Sequence, residues 1–85
     1  MNNLNPKPAP TAHVCKYEGR SGLLLQERDI ITPVDLYLDA IKSLWSVVTI
    51  TRHEDGTITG ETYRSKQEHA AGFPLYRYTI KPLTK

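Results

Sequence analysis

Between Ser46 and Arg64 two runs dense in β-branched residues, SVVTITRH and TITGETYR, flank the pair Asp55-Gly56. Val, Ile and Thr suit a pleated, half-buried surface, and Gly accepts the positive φ of a tight turn without steric cost, so the segment is predicted to be a β-hairpin. Burial selects its register. A two-residue turn on Asp55-Gly56 sets Ile50 opposite Glu61 and Ile58 opposite His53, which scatters the apolar residues over both faces. A three-residue loop, Glu54-Asp55-Gly56 with a bulge at Gly56, puts Val48 and Ile50 on one face with Ile58, Gly60 and Thr62. The bulged loop is therefore expected.

The other elements follow from periodicity around that anchor. Thr32 and Pro33 suit an N-cap and first helical position, Asp35 favours the first turn, and Val34, Leu38, Ile41, Leu44, Trp45 and Val48 recur at helical spacing. A strand-like alternation from Val34 to Asp39 competes, but the caps and the longer period favour a helix that yields to the hairpin near Ser46. Upstream, AHVCKY, the turn EGRSG and LLLQE suggest a first hairpin from Ala12 to Glu27, with its inward face undecided between Val14 and Cys15. Ser65 and Glu68 form a capping box, for which a single helical turn or a loop is expected over 65–74. LYRYTIK is a final strand with Tyr76, Tyr78 and Ile80 on one side, ended by Pro82. The expected fold is thus α+β, in the order β-β-α-β-β-β: an antiparallel sheet of four or five strands with one amphipathic helix on one face.

The 85 residues suffice for one domain, assigned to 12–85, preceded by a flexible Pro/Asn-rich leader over 1–11. Candidate core residues are Val14, Leu23, Leu25, Ile30, Val34, Leu38, Ile41, Leu44, Trp45, Val48, Ile50, Ile58, Phe73, Leu75 and Ile80. They make one small core, consistent with modest stability or support from a partner. The single cysteine, Cys15, forms no internal disulfide, and no segment has the apolar length of a membrane span. These features point to a soluble chain in the reducing cytoplasm.

A formal charge of +2 falls short of a dense phosphate-binding patch. Lys and Arg outnumber Asp and Glu three to one over 1–20 and five to two over 60–85, but are outnumbered six to three over 21–59. The basic third also carries tyrosines. Arg52, Tyr63, Arg64, Tyr76, Arg77, Tyr78 and Lys81 are the candidate partner-binding residues, because Tyr and Arg dominate protein interfaces. The same residue types stack on bases and neutralise phosphates, so nucleic acid is the alternative partner. Self-association through a sheet edge is a further expectation.

Signs of chemistry are sparse. His13 and Cys15, two apart on a strand, share a side as two ligands require, but their spacing is not that of a zinc finger, and His53 and His69 lie on separate segments. Cys15 as a nucleophile lacks any local signature despite Lys16 and Arg20 nearby. Asp35 and Asp39 read as solvated charge on the polar face of the helix. No Gly-rich phosphate loop or nucleophile elbow is present. The expectation is a small non-enzymatic regulatory, adaptor or inhibitor protein, without metal or cofactor, that binds another protein through its C-terminal hairpin and strand.

Overall fold

The computed structural model describes residues 9–83. Strands β1 (Ala12–Glu18) and β2 (Leu24–Ile30) precede helix α1 (Val34–Leu44). Strands β3 (Val47–Arg52) and β4 (Ile58–Tyr63), a short helix α2 (Lys66–Ala71) and strand β5 (Tyr76–Pro82) follow, completing the elements of the described residues. The five strands form one sheet in the order β2-β1-β5-β4-β3, antiparallel at every step. The α+β expectation holds, with α2 added to the predicted element order. Most of the predicted 1–11 leader, residues 1–8, lies outside the described residues. Thr11 already belongs to the fold, since its amide donates to Ile30 O at 2.7 Å and its carbonyl accepts from Leu83 N at 2.9 Å.

Because β2 and β3 are opposite edges, the connection between them must cross the whole sheet. Five strands span roughly 19 Å, and the 11 residues of α1 cover about 16 Å of that distance. The helix therefore lies across one face. Leu38 and Ile41 bury onto a cluster of Ala12, Val14, Ile30, Ile58, Tyr78 and Ile80 from the sheet, flanked by Val34, Tyr37, Trp45, Val48, Ile50 and Tyr76. Each fully buried aliphatic side chain contributes about 1.5–3 kcal/mol. The undecided face of β1 is resolved: Ala12 and Val14 point to α1, and His13 and Cys15 point away.

The 54–56 loop has the expected form. His53 N donates to Thr57 O at 2.8 Å, Gly56 N donates to His53 O at 3.0 Å, and Gly56 has φ 91°. Ile50 pairs with Gly60 and Val48 with Thr62, as burial required. Several other expectations are corrected. Pro33, with φ −53° and ψ 139°, is the residue that caps α1, and Thr32 provides no side-chain cap. The helix stops at Leu44, and Trp45 turns extended, packing its ring edge-on against Tyr76 at 5.5 Å. Leu44 is consequently exposed. Leu23, Leu25 and Phe73 are exposed as well, while Ala12, Thr62, Tyr63 and Tyr78 join the buried set.

The capping box produces a real helix. Ser65 Oγ accepts from Glu68 N at 3.2 Å, and Gly72, at φ 77°, closes α2 with Gly72 N donating to His69 O and Phe73 N to Glu68 O. That pair of bonds is a Schellman ending, which needs a left-handed residue at the position of Gly72. On the edges, β2 carries Glu27, Arg28 and Asp29 in succession, a composition that discourages pairing with another sheet. Among the described residues no helix is long and apolar enough to cross a membrane.

Candidate functional site on the uncovered sheet face

α1 covers one face, so strand alternation dictates what the other presents. Three cross-strand rows result. One runs Leu24, Tyr17, Arg77, Glu61, Thr49, and the next runs Glu27, Cys15, Thr79, Thr59, Thr51. Asp29, His13 and Lys81 form the third. From these first two rows, Tyr17, Arg77, Glu61, Thr49, Thr79, Thr59 and Thr51 line a shallow hollow of about 410 Å³ across four strands, floored chiefly by threonines. Threonine offers a methyl and a hydroxyl on a stiff rotamer, so this floor presents alternating apolar and hydrogen-bonding groups.

α2 closes one end of the face. His69 meets the buried Tyr63 ring edge-to-face at 4.8 Å, and its Nε2 lies 3.5 Å from Thr49 Oγ1. Tyr63 Oη donates to Glu61 Oε1 at 3.0 Å, and Arg77 Nε stands 3.4 Å from Glu61 Oε2. Burial first, then the bond to Glu61, holds the Tyr63 phenol above its ordinary pKa. The carboxylate thus joins a buried phenol to a cation at the centre of the hollow.

At the opposite corner, on β1 and β2, His13 Nδ1 lies 2.7 Å from Asp29 Oδ1 and its Nε2 lies 2.7 Å from Glu27 Oε2. Hydrogen bonds to Asp29 and then to Glu27 raise the His13 pKa above its usual value. Donor atoms of His13, Cys15 and Glu27 all lie within 4.8 Å of one another. The neighbouring Cys15 side chain is the chief cause that raises the Tyr17 phenol above its ordinary pKa.

The seven candidate residues from the sequence do not form one patch. Arg77 and Lys81 reach the uncovered face, and Tyr63 is buried beneath its α2 end. Tyr76 and Tyr78 point towards α1, where Tyr78 is buried and Lys16 Nζ sits 4.0 Å above the Tyr76 ring. Arg52 lies on the α1 side, 3.6 Å from Asp35. Arg64 lines a separate hollow with Arg20, Glu18, Glu68 and Phe73. Nothing in the sequence marked Tyr17, Thr49, Thr51, Thr59, Thr79 and Glu27 as belonging to this face. The alternation of β5 had already set Arg77, Thr79 and Lys81 together; the missing signal was which strands flank β5.

No family model matches the chain, and neither a curated protein nor a solved structure matches it significantly.

Proposed function

We propose that the chain is a non-catalytic recognition module that binds a protein partner on the uncovered sheet face. The observation that carries this reading is a hollow that crosses four strands and is lined by threonines around the Glu61–Arg77 pair. Stiff β-branched side chains lose little freedom on binding, and a compensated ion pair demands no charged ligand. A protein surface with mixed apolar and hydrogen-bonding groups suits it. Nucleic acid fits less well, because Arg77 is engaged by Glu61, Arg52 by Asp35, and the same face carries Glu27 and Asp29. Phosphate binding draws on uncompensated cations. The lone Cys15 supports a reducing, cytoplasmic setting.

The test is affinity capture from a nuclease-treated extract of the source cells, with wild type beside Thr79→Glu. The wild type should retain a specific protein, in salt, that the variant loses. Equal retention by both, or recovery of nucleic acid alone when nuclease is omitted, sinks the reading.

A further inference from the structure

The cluster at the β1–β2 corner has the composition and arrangement of a metal site. His13 and Cys15 stand two apart on β1 and share a face, and the register sets Asp29 opposite His13 and Glu27 opposite Cys15. Four donors thereby occupy the corners of a square on two adjacent strands. A tetrahedral Zn²⁺ with bonds of 2.0–2.3 Å separates its ligand atoms by roughly 3.3–3.8 Å. The 4.8 Å span of the His13, Cys15 and Glu27 donors closes to that by rotation of half-buried or exposed side chains. His13 Nε2 and Glu27 Oε2, now 2.7 Å apart, part by roughly 0.6 Å to admit the ion.

The fourth group explains the orientation of the first. With Nε2 directed at Glu27, His13 turns Nδ1 to Asp29 at 2.7 Å. Ligating histidines commonly donate their second ring N–H to a carboxylate in this way, which fixes the tautomer and raises ligand basicity. Mixed imidazole, thiolate and carboxylate donors suit a borderline-soft divalent ion.

We propose that His13 Nε2, Cys15 Sγ and a Glu27 carboxylate oxygen bind one Zn²⁺-class ion, with Asp29 as the positioning residue for His13. Binding displaces the thiol proton, and the ring proton from Nε2, to solvent. The fourth coordination position faces solvent and takes water. The bound ion pins edge strand β2 to β1 through side chains as well as backbone.

The experiment is Co²⁺ titration of the reduced full chain followed by absorption spectroscopy, with Zn²⁺ as competitor. One Co²⁺ per chain should bind with a thiolate-to-metal charge-transfer band and leave on addition of Zn²⁺. Cys15→Ser should lose the band, Asp29→Asn should bind at least tenfold more weakly, and His53→Ala should match wild type. Circular dichroism checks that the variants fold. Absence of a stoichiometric thiolate band in the wild type overturns the proposal whatever the variants do; so does undiminished binding by a folded Cys15→Ser, or an Asp29→Asn chain that binds as wild type.

Discussion

Thr62 is fully buried on the α1 side, and its hydroxyl has no hydrogen-bond partner among the described residues. A buried orphan hydroxyl costs about 1–3 kcal/mol, whereas an apolar group of the same shape there costs nothing comparable. Thr62→Val should therefore raise stability by about 1 kcal/mol in urea denaturation; a loss would mean that the hydroxyl is satisfied. Gly19 makes the opposite case. Its amide donates to Leu75 O at 2.9 Å, and a Cβ there would fall onto the Pro74 carbonyl, which is backbone and cannot swing aside. Gly19→Ala should cost at least about 2 kcal/mol, measured in the same way. Neither residue was legible in the sequence. Gly19 read as one glycine of a turn, because its reason is a contact with a segment more than fifty positions away. Leu23 and Leu25 misled for a related cause: apolar character says nothing of whether a strand ends up at an edge, with α1 starting only after β2.

At the scale of elements, local chemistry was a better guide. The bulged hairpin could be read because side-chain alternation has a period of two, so a one-residue change of loop length moves every apolar residue to the wrong face. Asp55 reinforces that loop, its Oδ1 accepting from Thr57 N at 2.9 Å. The backbone bond to Thr57 is the chief cause that lowers the Asp55 pKa. A lowered folded-state pKa means that the stabilisation is complete above the unfolded-state value and disappears as pH falls through the folded one. Asp55→Ala should thus be less stable than wild type near neutral pH, and the gap should close in acid. Denaturation curves at both conditions check this, and a gap that widens in acid contradicts it. Helix α2 depends similarly on its cap, and Ser65→Ala should cost about 1 kcal/mol. Loosening α2 should also free the Tyr63 ring, visible as increased tyrosine fluorescence quenching by an added quencher.

For the whole molecule, the deciding feature is non-local. β5, last in sequence, inserts between β1 and β4, and so joins the first hairpin to the second in a single sheet. No period or turn signal encodes that placement, and it is what assembles Tyr17, Arg77, Thr79 and Thr59 into one surface. The basic C-terminal third consequently divides between two faces, which dilutes the charge asymmetry of the sequence. The claim that the uncovered face does the work is tested most directly by the NMR spectrum of isotope-labelled chain, recorded before and after addition of nuclease-treated source extract. Shifts or broadening are expected at the amides and methyls of Thr51, Thr59 and Thr79 and at Arg77, with the exposed Leu36 and Ala40 of α1 unchanged. Perturbation centred on α1, or a spectrum that the extract leaves unaltered, would contradict the claim.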